Sequence, residues 1–528
     1  MTNASEQERI DRALAAINGE GGRLLIAFLQ NQRWFGGKGK PLAAVRLSDA
    51  IELPSASVPY LLAVLLVEYR GGSQERYMMP LSIRSKVGSV DLAAIAELPG
   101  SSGQHWVCDA TMADDVWRSL HDLVATEKER GGRTGSVRGR ALVDREGGLA
   151  GPFTTIKILS GEQSNTSIVF DRRVIMKLIR KVELGISPER EMLEFLTTKA
   201  LCRDVPPLLG YLTYQTEQEG AIEEDPEGTV VVLQRFVVNR GDGWSYSLSC
   251  LGELLRESRQ AAQTQASHPS QVCENRTDAF LKEIHQLGEV TGNLHLALAS
   301  DGESGPFCPE PITMSDVTRW QGRMQQFLAE VCRDLRSMSP EQQTAAGFVS
   351  DEATTLELAC RDRFNDLARL VTGQTVKIRH HGDYHLGQVL KTEDGFAVID
   401  FEGEPARSLE ERRAKVCPLK DVAGMLRSFS YAAQAVLQPH RPISPDDQTI
   451  MTEWEHAARQ TFLNGYRSVV QPGAALFLPA TWDDTLRVLQ VYELDKALYE
   501  LRYELRNRPE WLAIPLQGIR SLTQKACE

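Results

Sequence analysis

The chain has 528 residues, too many for one ordinary hydrophobic core, and at roughly 150 residues each about three domains are expected. A hydrophobic share of 42% and a charged share of 25% exclude a wholly disordered or a fibrous protein. With 59 Lys and Arg against 71 Asp and Glu the net charge is -12, so broad electrostatic binding to nucleic acid or an anionic membrane is not expected.

The start, MTNASEQERIDR, is charged and polar and does not read as a secretory leader. The longest apolar run, Tyr60 to Val67, is far short of the roughly 18 residues of a spanning helix. Nine cysteines are scattered without a C-x-x-C pair, which suggests neither a zinc ribbon nor a disulfide scaffold. A reduced, cytoplasmic home is expected.

In chain order, Ile10 to Phe28 has a helical pattern, and Leu61 to Tyr69 and Tyr77 to Ile83 flank Gly71-Gly72 as a hairpin. These predict a small α+β cap over residues 1–110, with Trp34 and Phe35 in its core. Asp109 to Glu127 reads as a helix, and the seven glycines between Glu129 and Gly151 suggest a linker. Strands are predicted at Thr154 to Leu159, Ser167 to Phe170, Val174 to Leu178 and Thr229 to Val238, with a helix from Pro188 to Ala200. The polar stretch Arg256 to Thr277 reads as an exposed extension. A strand-rich segment (111–238) followed by a mostly helical one (239–528) predicts an α+β, two-lobed fold with a cleft between lobes.

The strongest chemical signal is Arg379-His380-His381-Gly382-Asp383-Tyr384-His385-Leu386-Gly387-Gln388, followed by Ile399-Asp400-Phe401-Glu402. Asp383 falls on a loop after an apolar strand, Gln388 lies five residues on, and a second strand after the Asp394-Gly395 turn ends at Asp400. Phosphoryl transfer needs a carboxylate to orient and deprotonate the attacking hydroxyl, and oxygen ligands for magnesium on the phosphates. The spacing matches the kinase pattern H-R-D-x-x-x-x-N then D-F-G, with Gln for Asn and Glu for Gly. Asp383 is therefore the expected base, and Gln388 and Asp400 the expected metal ligands. A hairpin whose Asp and Gln cap turns is the bland alternative. It explains any one of these residues but not the set.

Parts that could hold ATP precede it in order. Ser160 to Ser167 has hydroxyl side chains, Ser164 among them, between two strands that could cover phosphates. Lys177 sits on an apolar strand where it could pair phosphates and an acid of the next helix, Glu191 by preference with Glu189 as rival. The strand through Leu233-Gln234-Arg235-Phe236 would be the hinge whose backbone reads adenine. His380, His381 and His385 lie within six residues, but no matching His/Cys pair follows and zinc is not expected.

HGDYHLGQVL, IDFEGEP and RRAKVCPLKDVAGMLRSFSYAA resemble bacterial maltokinases, relatives of aminoglycoside phosphotransferases and eukaryotic-like kinases. So do QRWFGGKGK, GEQSNTS, NRGDGW and ALYELRYELRNRPEWLAIPL, spread from residue 32 to about 516. The resemblance implies a cap, an ATP-binding part and a helical lobe. It also implies ATP- and Mg2+-dependent phosphorylation of maltose at the anomeric hydroxyl, giving maltose 1-phosphate for α-glucan synthesis. It implies Asp383 as base, Gln388 and Asp400 as metal ligands, and Lys177 with Glu191 as the phosphate clamp. A functional link to a trehalose synthase is also implied, and a monomer is expected. Along the family's late helix, Glu493, Lys496, Tyr499 and Tyr503 share one face, and Lys496, Tyr499 and Tyr503 are expected to meet the sugar. Glu402 and Arg407 are further sugar candidates, although Glu402 could instead pair with Arg412 or Arg413.

The chain is longer than typical maltokinases, which leaves maltose less secure than phosphoryl transfer. One rival is a kinase for glucosamine, another oligosaccharide or an aminoglycoside. Asp400 to Lys415 holds five acids and four bases, which does not favour a cationic acceptor. The other rival is a catalytically dead nucleotide-binding regulator, against which stand Asp383, Gln388 and Asp400.

Overall fold

The computed structural model describes residues 15, 17–18, 21–55, 58–84, 94–98, 105–142, 147, 149–159, 164–216, 227–263, 271–349, 352–371, 375–440, 442–471 and 475–524. They fall into two compact units, 1–197 with 206–238, and 198–205 with 239–528. The fold is the α+β one expected.

The first unit opens with helix α1 (Gly21–Asn31) and strands β1 (Leu42–Leu53), β2 (Tyr60–Tyr69), β3 (Gln74–Arg84), β4 (Ala94–Leu98) and β5 (His105–Asp109). The strands form an antiparallel sheet in the order β1-β2-β3-β5-β4, and the β2–β3 hairpin carries Gly71-Gly72 in its turn. The sequence YLLAVLLVEY of β2 does not alternate in polarity because both its faces are covered. Leu61, Ala63, Leu65 and Val67 pack with Leu25 and Leu29 of α1 and with Phe35. Leu62 and Val64 pack instead with Trp117 and Leu120 of helix α2 (Asp114–Ala125) and with a second sheet.

That second sheet comprises β6 (Glu129–Gly131), β7 (Gly135–Ala141), β8 (Ile156–Ile158), β9 (Asn165–Phe170), β10 (Val174–Ile179), β12 (Leu208–Thr216) and β13 (Glu227–Arg235). Its order is β6-β7-β12-β13-β10-β9-β8, and the two-residue β11 (Lys181–Val182) leaves it to pair with β3. The linker expected from Glu129 onward is thus corrected over its first half. Gly139 is not there for looseness, since a Cβ on it would lie 2.0 Å from the Leu123 carbonyl oxygen. It lets β7 touch α2. Helix α3 (Pro188–Thr198) follows β11.

The second unit is built on helices α4 (Gly243–Gln263), α5 (Gln271–Leu298), α6 (Met314–Arg336), α7 (Pro340–Ala346), α8 (Glu352–Phe364), α9 (Leu409–Arg413), α10 (Leu419–Ala435), α11 (Pro445–Val469), α12 (Trp482–Asn507) and α13 (Ala513–Thr523). Two short ribbons interrupt them, β14 (Glu310–Pro311) with β15 (Val376–Lys377), and β16 (Val389–Lys391) with β17 (Phe396–Val398). Helix α10 is buried almost throughout. A Cβ on Gly465 would lie 2.0 Å from the His285 carbonyl and one on Gly288 2.1 Å from that of Phe462, so α5 and α11 meet backbone to backbone. The polar stretch read as an extension is instead the end of α4 and the start of α5, with 264–270 outside the described residues. Arg259 within it grips Asp447 through Nε (3.2 Å) and Nη2 (2.8 Å).

Candidate active site

Within the second unit, Arg379 to Gln388 forms a loop fastened from below. Asp421, in the first turn of α10 and fully buried, accepts the backbone N–H groups of His381 (2.7 Å) and Gly382 (2.9 Å). Gly382 has φ +90°, which favours glycine at the turn into Asp383. Burial works against the Asp421 charge, but the His380, His295 and His381 side chains outweigh it and hold the carboxyl well below the usual range. His295 extends the chain, meeting Asp421 at 3.4 Å and the Tyr466 hydroxyl at 3.0 Å. Sequence reading missed Asp421 and His295 as site residues. Their signal was one carboxylate and one imidazole in otherwise apolar helix faces.

His381 joins the two halves of the motif. Its Nε2 donates to the Ile399 carbonyl (2.9 Å), while Nδ1 accepts the Asp383 N–H (3.4 Å). Both bonds together require the neutral ring protonated at Nε2. Strands β16 and β17 pair antiparallel in the register Val389↔Val398, and Ile399 N–H donates to the Gln388 carbonyl (3.0 Å). The strand end therefore returns Asp400 to the neighbourhood of Gln388. Asp400 has φ +70°, a left-handed conformation that costs a non-glycine residue about 1–3 kcal/mol and is tolerated where surroundings enforce it.

The Asp383 carboxylate, about one-quarter exposed, takes Lys496 on Oδ1 at 3.3 Å and faces His385 Nε2 from Oδ2 at 4.0 Å. Burial lowers the Lys496 pKa, but Asp383, Glu404 and Glu500 outweigh it and the ammonium is held above its ordinary value. The pair opens into a cavity of about 1,080 Å3, lined among others by Trp320, Phe327, Tyr384, Glu404, Arg407, Asp495, Lys496 and Tyr499.

Nine lysines and arginines and eight aspartates and glutamates line this cavity, so its wall is close to neutral. Many of these charges pair locally. Lys415 meets Glu310 at 2.6 Å, Lys377 meets Asp316 at 2.9 Å, and Glu404 holds both Arg407 and Lys420. Burial raises the Glu404 pKa, but Lys420, Arg407 and Lys496 outweigh it and bring it to about 2. Asp495, whose carboxyl is pushed up by burial, makes no hydrogen bond or ion pair among the described residues.

Of the sugar candidates, Lys496, Tyr499 and Arg407 line the cavity. Tyr503 and Glu402 do not, a correction. Tyr503 stands one helical turn beyond Tyr499, exposed beneath the Arg508 guanidinium (5.4 Å). Glu402 offers its carbonyl to Arg412 (3.3 Å). Glu493, on the same predicted face, is buried against Arg459 (2.7 Å).

In the first unit, Lys177 lies on β10, whose alternate residues Val174, Met176 and Leu178 enter the core and leave Lys177 on the opposite face. Its Nζ pairs with Glu189 Oε1 at 3.3 Å, both side chains largely buried. The role given to Glu191 passes to Glu189, because the first turn of α3 puts Glu189 against the strand. Ser164 is exposed just before β9, and Ser160 to Gln163 lie outside the described residues. The expected hinge segment at Phe236 lies just before the division between the two units at Val238. Strand β13 ends at Arg235, and the Phe236 N–H is taken by the Arg173 carbonyl (2.9 Å), so of its backbone groups only the carbonyl could meet a base.

Residues 28–113 match the maltokinase N-terminal cap domain. A glucosamine kinase of Streptacidiphilus jiangxiensis is 27% identical over 376 residues, 69% of this chain and 73% of that protein. A glucosamine kinase of Mycolicibacterium smegmatis is 24% identical over 356 residues, 67% of this chain and 76% of that one. Among solved structures, a glucosamine kinase in complex with glucosamine, ADP and inorganic phosphate has a TM-score of 0.60 at 20% identity, covering 93% of this chain and 96% of its own. A second glucosamine kinase crystal form gives 0.62 at 22% identity, covering 92% and 95%. The chain thus carries a maltokinase-type cap and, over most of its length, the fold of the glucosamine kinases, to which it is similar in sequence.

Proposed function

We propose that the chain is an ATP-dependent sugar kinase that phosphorylates the anomeric hydroxyl of maltose, giving maltose 1-phosphate for α-glucan synthesis. The observation that carries this is Asp383 at the wall of a large, near-neutral cavity, with the Gln388 and Asp400 segments hydrogen-bonded side by side. Asp383 orients the hydroxyl and takes its proton, and Lys496 keeps the carboxylate turned into the cavity. Gln388 and Asp400 offer an amide and a carboxylate oxygen, the hard donors that suit Mg2+. When bound, that ion offsets charge on the transferring phosphoryl group. Lys177, braced by Glu189, is assigned to the nucleotide phosphates.

Two features favour a neutral disaccharide. At about 1,080 Å3 the cavity slightly exceeds the ~300–1,000 Å3 typical of sites for drug-sized ligands. Trp320, Phe327 and Tyr499 offer flat apolar faces to pyranose rings while the wall charges cancel. A second reading, glucosamine, draws on the relatives and on Asp495, an unpaired carboxylate that could take an ammonium. An ADP-release assay over maltose, glucosamine, glucose and kanamycin separates the two. Maltose is expected to give the highest kcat/KM, and a glucosamine value above it would replace the first reading with the second.

A further inference from the structure

The QRWFGGKGK block and the cap that carries it have no part in the chemistry above, yet one side chain ties them to it. Arg180 stands three residues beyond Lys177, where the chain leaves β10 for β11, and is 1% exposed. Its guanidinium meets no carboxylate at hydrogen-bonding distance among the described residues. Nε donates to Thr166 Oγ1 (2.9 Å) in β9, Nη2 to Thr111 Oγ1 (3.1 Å) and Nη1 to the Met78 carbonyl (3.4 Å), while the Trp34 ring lies 4.8 Å away, stacked on the cation. Burial pulls its pKa down to about 10.

The surroundings repeat the same link. The Arg180 carbonyl accepts the Met78 N–H (2.7 Å), β11 pairs with β3, and Lys181 meets Glu75 at 3.2 Å. Strands β10 and β11, joined only by Arg180, thus lie in the two different sheets. A buried guanidinium that Asp109 offsets only at a distance, without a bond, is costly, so apolar packing would serve stability better. What the arginine adds is direction, because three donors and one stacking face fix a single position of the strand end.

We infer that Arg180 is a positioning residue, and that the cap, through Trp34, Thr111 and Met78, sets where β10 presents Lys177 to the nucleotide. The inference rests on the assignment of Lys177 above. Thr166 pairs with Leu178 in the β9–β10 register, so the same contacts also hold the strand that begins after Ser164. Displacing a positioning group by about 1 Å costs up to ~10²-fold in rate.

The test uses the full chain with Mg2+ and methylanthraniloyl-ADP as a fluorescent binding probe, alongside KM for ATP and for the sugar acceptor. Arg180→Met is expected to weaken probe binding and raise KM for ATP about tenfold, and Trp34→Ala to do so several-fold, within the range above. KM for the acceptor should stay within about twofold, a split that general loss of stability would not produce. Lys177→Ala serves as reference and should loosen the probe at least as much. If Lys177→Ala loosens the probe while both cap variants bind as wild type, or raise both KM values alike, the inference is overturned. If Lys177→Ala itself binds as wild type, the assignment of Lys177 fails and takes the inference with it. Should Arg180→Met not fold, Trp34→Ala alone decides.

Discussion

At the scale of single residues, the Arg379–Gln388 loop buries His380 and keeps it neutral. His380, buried beside Asp421, has its pKa lowered from 6.5 to about 4, chiefly by burial, with Asp421 opposing and Lys420, Arg379 and His295 adding to the effect. In the unfolded chain this imidazole takes a proton near 6.5, in the folded chain only near 4. The unfolded state therefore binds more protons between those values, and stability falls as the pH drops through that window. His380→Gln removes the titration. Thermal melts from pH 7 to pH 4 should fall less steeply for the variant than for the wild type. Equal slopes would show that the group titrates alike in both states. The same scale shows what a sequence conceals. His380, His381 and His385 were visible as a cluster, but only backbone geometry shows that His381 bridges to Ile399 and that His385 faces Asp383.

At the scale of elements, the NRGDGW turn explains itself by what it holds. Arg240 N–H bonds the Lys391 carbonyl (2.8 Å), Lys391 N–H bonds the Gly241 carbonyl (3.0 Å), and Asp242 caps α4 through the Ser245 N–H (2.6 Å). The turn thus clasps β16 directly after Gln388. A Cβ on Gly243 would lie 2.8 Å from the Leu386 carbonyl oxygen and 2.7 Å from Val389 Cγ2, so nothing larger than hydrogen fits. Gly243→Ala should lower stability by about 1–3 kcal/mol, the usual cost of overpacking. It should also cut kcat, because the displaced segment carries Gln388. Chemical denaturation and turnover measured together check it, and an unchanged midpoint with unchanged kcat would show that the turn yields freely.

Elements were legible in the sequence where one polar residue stood in an apolar run, as in β10, where Lys177 alone interrupts VIMKLI. They were not where glycines were read as looseness, since Gly135 and Gly139 permit close contact instead. Nor could spacing choose between Glu189 and Glu191. Both fall in the first turn of α3, and the choice depends on the angle at which that helix meets β10. Tyr503 failed for a similar reason. It shares a helical face with Tyr499, but the cavity ends one turn earlier.

At the scale of the molecule, the net charge of -12 leaves no general attraction for polyanions, while the cavity beside Asp383 is close to neutral. None of the described helices is long and apolar enough to cross a membrane. Within the first unit, the maltokinase-type cap and the lysine-bearing sheet share one core, whereas the second unit keeps Asp383, Gln388 and Asp400 on one hydrogen-bonded framework. The claim on which this account turns is that Asp383 is the base for a sugar hydroxyl. The most direct measurement is ADP release with maltose by Asp383→Ala, set beside its binding of methylanthraniloyl-ADP. Loss of a general base predicts a fall in kcat of about 10²–10⁴ with nucleotide binding intact. Turnover near the wild-type rate would contradict it.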